Sequence, residues 1–437
     1  MSVELLSPAG SLKNMRYAFA YGADAVYAGQ PRYSLRVRNN EFSKPEVLAK
    51  AIEEAHLLGK KFFLASNIAP HNDKVKTYMR DLTPIIEMNP DALIMSDPGL
   101  IMMVREKWPE MAIHLSVQAN AVNYATVKFW QKQGVQRVIL SRELGINEIE
   151  EIKQQCPEME IEVFVHGALC IAYSGRCLLS GYMNHRDSNQ GACTNACRWN
   201  YKTQDGQETL EGDIIPVNSN TQSDAEVKWK PVDDILLLEE PQRPGELMPA
   251  FEDEHGTYIM NSKDLRAVQH VEKLIQIGVD SIKIEGRTKS YFYAARTAQV
   301  YRQAIDDAIS GKHFDHHLLD TLDGLSNRGY TEGFLRRHVP KELQNYTHGS
   351  SMSNHQKFVG EILSFENGQA TVEVKNQFAV GDNIELMTPK GNQAFVLEKM
   401  HNKKGASMDV APGSGHTVII SLPVAFVPDN SLLVLNL

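Results

Sequence analysis

Residues 3–28, VELLSPAGSLKNMRYAFAYGADAVYA, decide the fold. An apolar run from Val3 to Ser7 is followed by a short loop, a segment with apolar residues at helical spacing from Lys13 to Tyr21, then Gly22 and a second apolar run from Ala25 to Ala28. Strand, helix, strand in that order is the signature of parallel strands joined by a crossover helix. The unit repeats outward along the chain. Further strands are predicted at Lys61 to Ser66, Ala92 to Ser96, Ala112 to Val117, Arg137 to Leu140, Ile161 to Val165 and Ser281 to Ile284. Helices are predicted between them at Pro45 to Leu58, Lys74 to Glu87, Leu100 to Lys107, Tyr124 to Gln133, Ile146 to Gln155, Leu265 to Ile277 and Tyr291 to Ile309. Pro45 suits a first helical turn, and Gly22, Gly59, Gly134 and Gly278 sit where C-terminal caps belong.

Eight such units in the first ~310 residues fit an α/β fold of the (β/α)8 TIM-barrel type, which needs about 250 residues before insertions. A doubly wound open sheet has the same alternation. The barrel is favoured by the residues that follow the strands: Ser7, Tyr27, Asn67, Asp97, Gln118, Arg142 with Glu143, His166, and Glu285 with Arg287. A barrel gathers such groups on one mouth, where enzymes of this architecture place their sites. The expected organisation is a catalytic barrel over residues 1–311 carrying an inserted segment at 171–257, a linker region at 312–356 and a small all-β barrel at 357–437. In that last part Ala370, Val372 and Val374 alternate with Glu373 and Lys375, and Asn367-Gly368 is a hairpin turn signal.

The chain has 437 residues, 42% of them hydrophobic and 23% charged, enough to bury one large core and a second small one. A net charge of -9 argues against a protein that coats nucleic acid non-specifically, while leaving room for a local basic patch. Glu4 stands where a secretory signal would have basic residues, and no apolar run reaches the roughly 18 residues that span a bilayer. The expectation is a cytoplasmic protein without a membrane segment.

Four of the five cysteines fall in one short segment, spaced Cys170-x6-Cys177-x15-Cys193-x3-Cys197, and it begins where the seventh strand ends. The odd count and the reducing compartment argue against structural disulfides. Four thiols so placed suit an iron-sulfur cluster or a zinc ion, with buried unligated thiols as the plain alternative. Zinc is the weaker metal, because only the second pair has the close spacing of a zinc knuckle. Cys156 lies outside the group and reads as a packing residue at a helix end.

Around these cysteines, residues 162–180, EVFVHGALCIAYSGRCLLS, resemble the signature of the collagenase-like peptidases, family 32 among peptidases of unclassified catalytic type. LLSPAG at 5–10, GADAVYAG at 22–29, NSKDL at 261–265 and KIEGR at 283–287 extend the likeness over nearly the whole chain. Residues 17–42 and GACTNACRW at 191–199 are most similar to the branch of that family made up of prephenate-dependent tRNA uridine hydroxylases. The resemblance implies oxygen-independent 5-hydroxylation of the wobble uridine in the tRNA anticodon loop. Prephenate would be the co-substrate and a 4Fe-4S cluster, loaded by iron-sulfur assembly machinery, the cofactor. It also implies that Cys170, Cys177, Cys193 and Cys197 are the cluster ligands.

Roles for other residues follow from those chemistries. Prephenate is a dicarboxylate, so Arg142, Lys283 and Arg287 are candidate cations, with Asn67 and Gln118 as neutral substrate contacts. His166, Glu285 and Glu143 are candidate proton-transfer groups. Each also has a structural reading: Arg142 pairs with Glu143 or another carboxylate at the mouth, Arg287 with Glu285, and His166 is hydrogen-bonded scaffold. Arg176, Arg198, Trp199, Arg336 and Arg337 are candidate RNA contacts, an anticodon base stacking on the indole, unless they form a solvated face. A collagenase-like peptidase is the alternative function. It has no His-Glu-x-x-His or Gly-x-Ser-x-Gly motif to support it, although His166 lies four residues from Cys170. A metal-stabilised RNA-binding module without catalysis is the non-enzymatic alternative.

Overall fold

The structure is a computed structural model. It describes residues 3–35, 40–169, 173–174, 176–177, 263–286, 289–327, 329–336 and 356–437, together with the backbone of five strands between 202 and 257.

Eight parallel strands form a closed barrel: β1 (Glu4–Pro8), β2 (Ala25–Gly29), β3 (Lys61–Ser66), β4 (Ala92–Met95), β5 (Ile113–Leu115), β6 (Arg137–Ile139), β7 (Glu160–Ala168) and the strand Ser281–Ile284, which pairs with both β1 and β7 and shuts the ring. Every strand expected from the sequence is present within a few residues of its expected ends. Short polar side chains start the intervening helices by accepting the first unpaired backbone N–H groups: Ser11 from Asn14, Asp97 from Leu100, Asn123 from Thr126 and Ser290 from Tyr293. Asp97 is therefore a helix cap, not a mouth residue. Gly22, Gly59, Gly134 and Gly278 all end helices with positive φ, as their placement predicted.

One expected helix is different. Leu265 to Ile277 divides into a strand, β13 (Asp264–Arg266), a single 3-10 turn and a helix over Val271–Ile277. β13 pairs antiparallel with the C-terminal end of β7, and Tyr330–Thr331 adds beside it in parallel. Between β7 and β13, the strands β8 (Lys202–Glu208), β9 (Ile214–Pro216), β10 (Ile235–Glu239), β11 (Leu247–Asp253) and β12 (Gly256–Thr257) make a separate antiparallel sheet. The stretch after residue 311 is more than a connection. Helix His317–Asp323 buries Leu318 and Leu322 in the barrel's own core, and Leu325 and Leu335 further along the chain join them there.

The barrel interior is charged. Glu162, with no exposed surface, is contacted by Lys283 at 2.8 Å and Arg137 at 3.1 Å, and Arg137 also reaches Glu4 and Glu160. Burying such charges is tolerated only because each has an opposite partner within hydrogen-bond reach.

From Gln356 onward a seven-stranded antiparallel sheet folds around a second core, to which strands from both ends of the sheet contribute. In the strand Gln369–Val374, Ala370, Val372 and Val374 are buried and their neighbours are not, the alternation predicted. This domain lies against helix Leu12–Ala20 and helix Tyr291–Ile309 on the barrel's flank. Tyr17 and Tyr291 donate to Glu361 at 3.0 and 2.9 Å, Tyr21 donates to the carbonyls of Met387 and Asn430, and Arg296 pairs with Glu385 at 2.9 Å.

Candidate active site

Polar side chains that lack partners follow the C-terminal ends of β2, β5 and β6. Gln30 Oε1, Gln118 Oε1, Asn120 Oδ1, Ser141 Oγ and Glu143 Oε2 are buried and accept or donate no hydrogen bond. Each such atom costs about 1–3 kcal/mol while unpaired, so these strand ends are where water or a bound molecule would complete the hydrogen bonding. Asn67, 9% exposed, is the fixed neighbour: its side-chain N–H donates to Ser116 Oγ at 3.1 Å and its oxygen accepts from the Leu35 N–H at 3.3 Å. The arc offers hydrogen-bonding groups and one carboxylate, Glu143. It is equipped to hydrogen-bond and orient a small polar group.

The cysteine segment approaches this arc from β7. Ser174 is held at the mouth by the ends of two other strands. Arg142 donates from Nη2 to Ser174 Oγ at 3.1 Å and from Nη1 to the Ala168 carbonyl at 2.7 Å, with its guanidinium over the Phe164 ring. Asn120 donates to the Ser174 carbonyl at 3.0 Å. Cys177, half-buried and outside any disulfide, lies three residues further on. Cys170, Cys193 and Cys197 lie outside the described residues, as do Arg287, Arg198, Trp199 and Arg337. Cysteine thiolates are the donor type that iron-sulfur clusters take, and the described part of the segment brings one of the four to the rim.

Several sequence expectations change. Lys283 is 2% exposed, points into the barrel and is ion-paired with Glu162 over the rings of Tyr27 and Phe164, so it presents no cation at the mouth. Arg142 pairs with the cysteine segment instead of with Glu143. His166 is turned outward, among Tyr293, Tyr301 and Tyr330 at centroid distances of 5.8, 5.5 and 5.4 Å. Burial, with Lys289 and Arg266 nearby, depresses its pKa to about 3, which leaves a neutral scaffold imidazole. The reason is a bulge: Phe164 opposes Lys283, yet His166 rather than Val165 opposes Ile284, and one extra residue sends the next side chain to the other face.

Glu285 sits at the seam, its backbone N–H donating to the His166 carbonyl at 2.8 Å and its carbonyl accepting from Tyr293 Oη at 2.7 Å. Arg176 and Arg336 are exposed, the latter paired with Glu332. Asn120, Ser141 and Gln30 were missed from sequence. Asn120 takes φ 52°, and an asparagine just past a strand is the one signal that pointed to it, since asparagine tolerates this region better than most residues.

A TIM-type barrel with a polar mouth and a cysteine-bearing insertion is the class that the fold and the site define. The chain belongs to Peptidase family U32, which matches residues 10–345, and the family's C-terminal domain matches residues 354–433. It is 65% identical to tRNA hydroxylation protein P of Escherichia coli K12, with 99% of this chain and 96% of that one covered. It is 63% identical to the Haemophilus influenzae protein of the same name, with the same coverage of both chains. Among solved structures, the U32 peptidase Mk0906 aligns with 65% of this chain and 94% of its own at 12% identity and a TM-score of 0.39.

Proposed function

We propose that this chain is a cytoplasmic tRNA-modifying enzyme that hydroxylates C5 of the wobble uridine, with prephenate as co-substrate and a 4Fe-4S cluster held by Cys170, Cys177, Cys193 and Cys197. The observation that carries the reading is 65% identity across 99% of the chain to a protein named for tRNA hydroxylation. Replacing C5–H by C5–OH removes two electrons from the base; prephenate, the co-substrate of this reading, would be the two-electron oxidant, and a bound iron-sulfur cluster would relay electrons one at a time. The barrel's own residues would bind and orient. Gln118, Ser141 and Gln30 are assigned to the base, whose ring edge carries both donors and acceptors. Glu143 is assigned to proton transfer at the mouth, with Glu285 at the β7 seam as the second candidate. Arg287 is assigned to a prephenate carboxylate. Arg176, Arg198, Trp199, Arg336 and Arg337 are assigned to the anticodon arm. A cysteine peptidase finds less support: His166, the nearby base it would need, is buried away from the mouth.

The test is anaerobic purification with iron, sulfide and zinc quantitation, followed by incubation with unmodified tRNA and nucleoside mass spectrometry. The expected result is about four irons and four sulfides per chain and one oxygen gained on the wobble uridine only when prephenate is present. Cys193→Ser should abolish that gain with little change in melting temperature. Zinc without sulfide, or oxygen gain independent of prephenate, would overturn the corresponding part.

A further inference from the structure

We infer that Asn120 and Arg142 are positioning residues that seat the first cysteine turn on the barrel. The inference rests on the cysteine segment being the metal-holding part of the site proposed above. Three consecutive strand ends converge on this turn. Asn120 follows β5, Arg142 follows β6, and Ala168, whose carbonyl takes the second Arg142 bond, ends β7. Ser174, between Cys170 and Cys177 in sequence and 7% exposed, receives Arg142 on its hydroxyl and Asn120 on its carbonyl. The turn is closed by the Arg176 N–H donating to the Tyr173 carbonyl at 3.0 Å, which sets Cys177 one residue past a fixed point.

The side chain of Asn120 is fully oriented by these contacts. Its amide nitrogen donates to the Gln118 and Ser174 carbonyls at 2.8 and 3.0 Å, so both N–H groups are engaged and the oxygen is left as an unpaired acceptor. Its backbone takes φ 52° and ψ 50°, a left-handed conformation that asparagine adopts more readily than other non-glycine residues. Arg142 has the matching form: a planar fork bridging two points of one segment, anchored by its stack on Phe164, which a lysine point charge cannot reproduce. Such contacts hold a ligand-bearing turn to a rigid scaffold, as residues outside a metal's own ligand set commonly do.

Asn120→Gly is the decisive variant, because glycine adopts φ 52° without strain and only the side-chain bonds are lost. Arg142→Gln and Arg142→Lys complete the set. In metal-free, reduced full-length protein, pulse alkylation with iodoacetamide is read by mass spectrometry at Cys177, with Cys156, 3% exposed, as internal reference. Both Asn120→Gly and Arg142→Gln should raise Cys177 labelling several-fold while Cys156 is unchanged, and Arg142→Lys should not restore the parent rate. Unchanged Cys177 labelling would overturn the inference. In iron-loaded protein the Arg142 variants should alter the electron paramagnetic resonance line shape and shift the reduction potential, with KM for prephenate unchanged. A raised prephenate KM with an unaltered spectrum in the Arg142 variants would instead make Arg142 a substrate cation and overturn its positioning role. If the parent protein holds zinc and no sulfide, the proposed reaction falls, while the labelling experiment still decides the seat.

Discussion

Lys283 and His166 are the residues at which chemistry guessed from type and position parts most clearly from chemistry in place. Each stands at the end of a strand, where a barrel enzyme keeps its reactive groups, yet one points down the barrel and the other out of it. Glu162 has two cations on it, so Glu162→Gln leaves both without their shared counter-charge. The expected loss is about 3–5 kcal/mol of stability, measured by urea unfolding. The double change Glu162→Leu with Lys283→Met should cost less than that single one. For His166 the native pKa of about 3 lies below the roughly 6.5 of an unfolded chain, so its contribution is complete above pH 6.5 and declines as pH falls toward 3. His166→Phe should therefore lose less melting temperature than the parent between pH 7 and pH 4.5. Residue types and their strand positions could be read from the sequence. Side-chain direction could not, because a single bulge in β7 reverses the alternation on which direction depends.

At the level of elements, the motif pieces HG at 166–167 and EG at 285–286 meet across the β7 seam. Gly167 has φ +105°, and a Cβ there would lie 2.3 Å from the Glu285 carbonyl oxygen; one on Gly286 would lie 2.8 Å from Pro8. Two sequence fragments more than a hundred residues apart are thus one close approach of backbones. Gly167→Ala combines backbone strain with that clash and is expected to cost about 2–4 kcal/mol, read as a lower urea midpoint at unchanged slope. The helices were legible because caps and periodicity are local. β13 was not: Asp264–Arg266 is a strand only because the end of β7 offers it an unpaired edge. Its own residues, followed by a helical pattern, read as the start of that helix.

For the whole molecule, the flank contact between barrel and C-terminal domain turns on Glu361. Burial raises the pKa of its carboxyl group, but hydrogen bonds from Lys13, Tyr291 and Tyr17 outweigh that and hold it below the ordinary carboxylate range. A depressed native pKa gives stability that is present above the unfolded value of about 4.3 and lost as pH falls through the native one. Acidification should accordingly loosen the domains before either unfolds. Glu361→Gln should do the same at neutral pH, splitting one calorimetric transition into two, whereas a single transition shifted as a unit would show that the apolar contacts suffice. Those contacts are substantial: Met387, Leu432 and Val434 belong to the barrel's core, and Phe292 stacks on Phe358 at 5.0 Å.

The sequence by itself determined the eight strand-helix units, the small β domain, the grouping of four cysteines after the seventh strand and the family signature. Periodicity, capping and spacing are properties of neighbours in the chain, and they survive being read one segment at a time. Only the tertiary structure decided which polar groups share the mouth, that Lys283 is a buried counter-ion and His166 a scaffold ring, that Arg142 and Asn120 grip Ser174, and that the second domain sits on the flank. Those outcomes depend on strand register, on one bulge and on which surfaces meet. A polar atom's role is set by the partner it finds or lacks after folding, and that partner is usually distant in the chain.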